Sequence, residues 1–160
     1  SYIAIGKNMY WTINNKSFSK ISNEDNNFTI NSIAKFFNKF VIATDKGIYV
    51  SATNMIGSGA LRASVASASL ASGEPTTFVD VDVMQDAVGA NIIQATVYAL
   101  RSDGVVFDSD DPMSYFNKTN TPINKPIMIS VFIDDVLIFS NSHVYSMNKS
   151  IMKPLTRALQ

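Results

Sequence analysis

Residues 40–54 read FVIATDKGIYVSATN, and the fold class turns on how that stretch is parsed. An apolar run, Phe40 to Ala43, stops at Asp45-Lys46-Gly47, and a second run, Ile48-Tyr49-Val50, follows. β-Branched and aromatic residues fit a pleated, half-buried surface. Gly47 supplies the positive φ that a tight hairpin turn requires. The stretch is therefore read as two antiparallel strands joined by a turn. The same pattern recurs in YIAIGKNMYWTINN (residues 2–15), TVYALRSDGVVFDSDD (96–111) and, most degenerately, ISVFIDDVLIFSNS (129–142). Gly104 plays the part of Gly47, with Asn8 and Asp135 as substitutes in the other two copies. Taking Ala4, Ala43, Ala99 and Phe132 as equivalent gives spacings of 39, 56 and 33 residues. Their mean lies near the roughly 40 residues of one four-stranded propeller blade.

Outward from these hairpins the signals differ. Ile30, Ile33, Phe36, Phe37 and Phe40 lie at helical spacing. The same residues also parse as a strand from Thr29 to Ala34, a turn at Phe37-Asn38-Lys39 and a strand from Phe40 to Thr44. The repeat favours the strands. Residues 76–86, TTFVDVDVMQD, alternate strictly over 79–83 and predict a strand with Asp80, Asp82 and Asp86 on its wet side. Residues 57–77, GSGALRASVASASLASGEPTT, have few large side chains. They read as a long loop or a strand pair with small side chains, and a helix within them is the minority reading.

The run INSIAKFFNKFVIATDKGIYVSATN resembles the blades of propellers built from sialidase-type, Asp-box-like repeats, which also occur in bacteriophage tail fibres and other virion proteins. The resemblance is carried by Ile33-Ala34, Phe37-Asn38-Lys39, Phe40-Val41-Ile42-Ala43, Asp45-Lys46-Gly47 and Ile48-Tyr49-Val50-Ser51. The other three copies match the inner hairpin alone. Ser109-Asp110-Asp111 through Phe116 is similar to the Asp-box turn, with Met113 in place of its Gly and Phe116 in place of its Trp. Thr12-Ile13-Asn14 through Ser19 matches it more weakly. The resemblance covers about half the chain and implies an all-β, propeller-like array of about four blade hairpins. A segment of a larger propeller and an antiparallel β-sandwich that uses the same hairpins are the alternatives. The tail SIMKPL (150–155) is apolar enough to pair as a first strand with the N-terminal blade and close the circle, removing two exposed edges.

Composition narrows the function. The 160 residues carry 13 Lys+Arg and 13 Asp+Glu, a formal net charge of zero, which speaks against a nucleic-acid partner. With 46% hydrophobic and 16% charged residues the chain has the composition of a folded domain. There is no Cys, so thiolate and disulfide chemistry are absent within the chain. No run approaches the roughly 20 apolar residues of a membrane span, and no signal peptide is visible at the first residues. Ser1 fits either a trimmed initiator Met or a processed product. The expected organisation is one all-β domain over 1–160, with the Ala/Ser-rich loop or insertion near 57–77.

Candidate sites are thin. Sialidase chemistry needs an Arg cluster, a Tyr nucleophile and acidic partners. Only Arg62, Arg101 and Arg157 and the two glutamates Glu24 and Glu74 are present. Asp103, Asp108, Asp110 and Asp111 form an oxygen-rich group of the kind that can hold Ca²⁺, but in no EF-hand spacing. They read as turn-forming residues. His143, the lone His, reads as structural. Of Tyr10 and Trp11, neighbours on a strand, one faces the core and the other outward. Trp11 or Tyr115 could stack on a sugar ring. The seven Met residues are gap fillers. The tail from Met147 carries Lys149, Lys153 and Arg157 and no acid, a mild basic bias for docking on an acidic neighbour. No catalytic, cofactor or metal residue is assigned. The expectation is a non-enzymatic structural or attachment component of a phage or virus particle. It would bind other virion proteins, itself or a host receptor or surface glycan, with no nucleic acid and no membrane insertion. A glycan-binding module, extracellular or at a cell surface, is the alternative.

Overall fold

The computed structural model describes residues 2–5, 8–12, 14–21, 28–51, 61–68, 70, 72–119, 123–147 and 153–154. Sheet I contains β1 (Tyr2–Ile5), β2 (Asn8–Trp11) and β3 (Ser19–Ile21). Sheet II contains β4 (Ile30–Phe36), β5 (Lys39–Thr44), β6 (Gly47–Ser51) and β7 (Leu61–Ala63), followed by a single helical turn, α1 (Val65–Ala68). Sheet III contains β8 (Phe78–Val88), β9 (Asn91–Arg101), β10 (Val106–Ser109) and β11 (Asn117–Thr119). Sheet IV contains β12 (Pro126–Phe132), β13 (Asp135–Ser140), β14 (Val144–Ser146) and β15 (Lys153–Pro154). Each is an antiparallel meander, and among the described residues none closes on itself. The chain is all-β and propeller-like. Within residues 57–77, the described part is β7, α1 and a turn; residues 57–60 lie outside the described residues.

Sheets II, III and IV are copies at the level of the backbone. Each carries a bulge between its first two strands, at Asn31, Val79 and Ile127, 48 residues apart in each case. Beyond the bulge the registers superpose. Ile33, Ile42 and Tyr49 lie across one row of sheet II; Val81, Ala99 and Phe107 occupy that row in sheet III, and Ile129, Ile138 and Tyr145 in sheet IV. We call this the front row. One residue earlier on the first strand, and on the opposite face, lies a back row. It comprises Ser32, Ala43 and Ile48, then Asp80, Leu100 and Val106, then Met128, Phe139 and Val144.

This phasing corrects the alignment of the fourth copy. Phe132 is the counterpart of Phe36, at the end of a first strand, and Phe139 is the counterpart of Ala43. The second turn confirms it. The Thr44 hydroxyl donates to the Gly47 carbonyl (2.8 Å) and accepts the Lys46 N–H (3.1 Å). The Ser140 hydroxyl donates to the His143 carbonyl (3.2 Å) and accepts the Ser142 N–H (3.3 Å). VLIFSNSHVYS thus repeats FVIATDKGIYVS one strand later than the hairpin at Asp134. The C-terminal strand is also corrected. β15 pairs with β14 as the fourth strand of sheet IV, rather than with the N-terminal sheet. The rest of SIMKPL lies outside the described residues.

The sheets stack face to face, with β1 beside β4, β5 beside β8, and β9 beside β12. The back of sheet II meets the front of sheet III in a core containing Ala43, Ile48, Val81, Ala99 and Phe107, all under 5% exposed. The back of sheet III meets the front of sheet IV around Leu100, Val106, Ile129 and Ile138. The front of sheet II buries Ile42 beside Phe28 and Leu61. Each Val, Ile, Leu or Phe among them contributes roughly 1.5–3 kcal/mol by leaving water, and the alanines less.

Polar side chains fix the offset between sheets. Asn31 Nδ2 donates to the Phe78 carbonyl (2.8 Å) and Ser32 Oγ to the Val81 carbonyl (3.4 Å), joining β4 to β8. One joint further, Asp80 Oδ2 accepts the Ile129 N–H (2.9 Å) and Asp82 Oδ2 the Val131 N–H (2.8 Å). Asp80 and Asp82 were expected on a wet face. They instead cap the free edge of β12, which would otherwise leave amides without acceptors. Asp86, further along β8, is exposed as expected.

Candidate interaction surface

The inter-sheet bonds match residue 31 with 78, 32 with 81, 129 with 80 and 131 with 82, so β4, β8 and β12 run side by side in the same direction. Their first hairpin turns, at Phe37-Asn38, Gly89-Ala90 and Ile133-Asp134, therefore gather at one end of the array. That end is apolar. Phe37 is 38% exposed, Val88 66%, Ile93 64%, Phe132 62% and Ile133 81%. Between the first two tips a cleft of about 550 Å³ is lined by Lys35, Phe37, Asn38, Ala90, Asn91 and Ile92.

Two of the tips are also strained. Phe37 has φ 51° and Ile133 φ 57°. A β-branched residue in the left-handed region is a backbone outlier, because its Cβ crowds the following carbonyl. Ile133 therefore carries a backbone penalty and leaves its side chain in water. Gly89, at the equivalent turn of sheet III, takes φ 61° without that penalty. Sequence reading missed these tips as a surface, since Phe132-Ile133 looked like ordinary strand. The signal that could have found them was a bulky apolar residue, Phe37 or Ile133, at the first turn position, where a two-residue hairpin favours Asn or Gly.

The opposite end is polar and internally satisfied. Asp45 Oδ1 accepts the Thr29 N–H (2.7 Å), and its carbonyl accepts the Thr76 hydroxyl (2.8 Å). Arg101 is 3% exposed. Its Nε and Nη2 donate to the two Asp103 oxygens (2.8 Å each), its Nη1 to Glu74 (2.7 Å), and Lys118 completes the group on Glu74 (2.8 Å). The guanidinium carbon lies 5.3 Å from the Phe107 ring centre. The hydrogen bonds from Lys118 and Arg101 hold the Glu74 carboxyl below the usual range, and the hydrogen bond from Arg101 does the same for Asp103. Two cations and two carboxylates neutralise one another, which leaves a structural knot with no group poised for proton transfer or substrate capture.

The other sequence candidates disperse. Asp103 serves Arg101, Asp108 accepts from Asn117 Nδ2 (3.1 Å), and Asp110 accepts from the Thr96 hydroxyl (2.7 Å). The Asp111 carbonyl accepts the Ser114 and Tyr115 N–H groups. These are turn and strand-end roles. Among the described residues no three His, Asp or Glu side chains come together as a metal site. His143 closes the turn before β14, with Nδ1 2.7 Å from the Ser142 hydroxyl. Tyr115 is 40% exposed, and its hydroxyl accepts the Asp110 N–H at 3.4 Å. Tyr10 is half-buried, and the Trp11 side chain lies outside the described residues. Among the described residues no helix is long and apolar enough to cross a membrane. Comparison with known protein families, curated proteins and solved structures finds no match.

Proposed function

We propose that this chain is a non-enzymatic structural or attachment component of a phage or virus particle, acting by protein–protein binding through the hairpin-tip end of its propeller-like array. The observation that carries the reading is Ile133, held at φ 57° while 81% exposed. Strained residues that burial does not explain collect where a partner is gripped. Phe37, Val88 and Phe132 add exposed apolar side chains at the same end, and clustered side chains of that kind mark interaction sites. The Asp-box-like reading is supported by the turn from Ser109 to Phe116. There the Ser109 hydroxyl accepts the Asp111 N–H (2.9 Å), and the Phe116 ring packs 6.4 Å from that of Phe107. Mass spectrometry of density-purified particles from the cells that produce the chain tests the assignment. Stoichiometric presence supports it, and absence from the particles sinks it.

A glycan-binding reading draws on Tyr115, whose hydroxyl is tethered while much of its ring surface stays open. A glycan array with wild type and Tyr115→Ala separates the two. Retention of a sugar by wild type alone favours the second reading.

A further inference from the structure

The first hairpin of sheet III outreaches its neighbours. Past the front row, β4 and β12 each run three residues to their last pair, at Phe36 and Phe132, whereas β8 runs seven, to Val88. Four extra residues at about 3.3 Å each carry a two-stranded ribbon roughly 13 Å beyond the tips on either side. Nine of the ten residues from Gln85 to Gln94 are exposed, and Ile92 is half-buried. The ribbon has one charged residue, Asp86, and its β9 strand bulges at Ile93, which is 64% exposed. Two strands without a core of their own are marginal in water.

The outer edge of that ribbon is unguarded. β10 stops pairing with β9 at Val97, and the Thr96 hydroxyl is bonded to Asp110. From Asn91 to Ala95 no described strand lies on the outer side of β9. The other outer edges are built differently. β3, β7 and β11 are three residues long and β15 two, and they carry Lys20, Arg62, Lys118 and Lys153 in turn. Short strands and edge cations keep one sheet from pairing with another. Asn91-Ile92-Ile93-Gln94-Ala95 has no charge and no Pro. Its one irregularity is the bulge, which re-aims a side chain without placing a charge on the edge.

We infer that this edge of β9 pairs with the same edge of a second copy of the chain, antiparallel and about a two-fold axis. A free strand edge presents N–H and C=O groups at the spacing of a strand, and another strand satisfies them as a set. Two features make that strand a second copy. Residues 91–95 bring no like charges together across the axis, as an edge carrying Arg62 or Lys118 would. Two ribbons joined through β9 also form one sheet of order β8-β9-β9-β8. Four strands, the count of sheets II, III and IV, hold together where two do not. The contact is isologous and closes at a dimer. It names a partner for the hairpin-tip end but rests on the strand edge and not on the particle assignment, so each can fail alone.

Sedimentation velocity of the full chain should show a monomer–dimer equilibrium. Amide exchange at residues 91–95 should slow as concentration rises through that transition, while the Arg62 and Lys118 amides keep their rates. Ile93→Lys and Gln94→Lys each put on this edge the kind of charge that the other outer strands carry, at positions that are exposed. Each, with an unchanged circular dichroism spectrum, should raise the dimer dissociation constant at least about tenfold. If Ile93→Lys loses its fold, Gln94→Lys decides. Four outcomes overturn the inference. One is a monomer at every concentration up to about 1 mM. Another is a dimer whose exchange at residues 91–95 does not change. A third is Gln94→Lys, folded, associating as wild type does. The last is association that continues past the dimer, which a closed two-fold contact forbids. A monomer found stoichiometrically in purified particles would sink the dimer and keep the particle assignment.

Discussion

The sharpest perturbation is at Asp80 and Asp82. If they lie on a wet strand face, Asp→Ala at either site should change stability by no more than about 0.5 kcal/mol, as surface substitutions do. The structure gives them another task. Each carboxylate accepts a backbone N–H of β12 across the sheet III–IV joint, Ile129 at 2.9 Å and Val131 at 2.8 Å. Ile129 is 2% exposed, so water cannot replace the lost acceptor. A hydrogen bond to a charged group contributes about 1.5–3 kcal/mol net, and an orphaned buried donor costs a similar amount. We expect Asp80→Ala to cost about 2–3 kcal/mol and Asp82→Ala slightly less, because Val131 is only half-buried. For a chain of this length each kcal/mol lowers the melting temperature by roughly 2–4 °C. Asp80→Asn keeps an acceptor oxygen and should recover about half the loss. Chemical denaturation gives the energies. Amide exchange gives the location: Ile129 should speed up in Asp80→Ala, and Val131 in Asp82→Ala. Losses within about 0.5 kcal/mol for both variants, with unchanged exchange at both amides, would refute the joint.

Gly104 has φ 89°, and a Cβ there would sit 2.2 Å from the Ile123 carbonyl oxygen. Gly104→Ala should therefore cost more than about 3 kcal/mol by denaturation, well beyond the usual range for a single substitution. Ile133→Gly removes a left-handed β-branched residue that is hardly buried, and should raise stability by about 1 kcal/mol in the same assay. The depressed carboxyls of Glu74 and Asp103 stabilise the fold above the ordinary carboxylate range and lose that contribution as pH falls through their lowered values. Melting temperature should thus hold from neutral pH to about pH 5 and fall below about pH 4. Arg101→Met should flatten that acid limb, and an acid limb as steep as wild type would contradict the assignment.

Local pattern made the hairpins legible. Alternation, Gly47 and Gly104 placed strands and turns, and residues 30–44 resolved as β4, a turn and β5 in preference to a helix. The phase of the repeat was hidden for a physical reason. A bulge is a backbone event, and Asn31, Val79 and Ile127 share no chemistry that would announce it. Two successive hairpins in one sheet also look alike, so the turn at Asp134 passed for the turn at Asp45. Alternation showed which residues share a side of β8, but not what lies across from them, and so Asp80 and Asp82 were placed in water. The knot at Arg101 joins Glu74, 27 positions earlier, and through Glu74 reaches Lys118, 44 positions from that glutamate, a spread that no local window contains. The strain at Ile133 was invisible because isoleucine is among the residues least suited to a left-handed turn.

Specificity and adhesion are divided in this fold. Apolar rows supply most of the attraction between sheets, but rows of Val, Ile and Ala tolerate sliding, because burying apolar surface is non-directional. The polar pins remove that freedom: a carboxylate that bonds the Ile129 amide cannot bond it one residue out of step. Inner joints carry pins of two chemistries, amide and hydroxyl donors on β4 and carboxylate acceptors on β8. On β12 the Asp80 position is held by Met128 and the Asp82 position by Ser130, and its hairpin tip adds exposed Phe132 and Ile133.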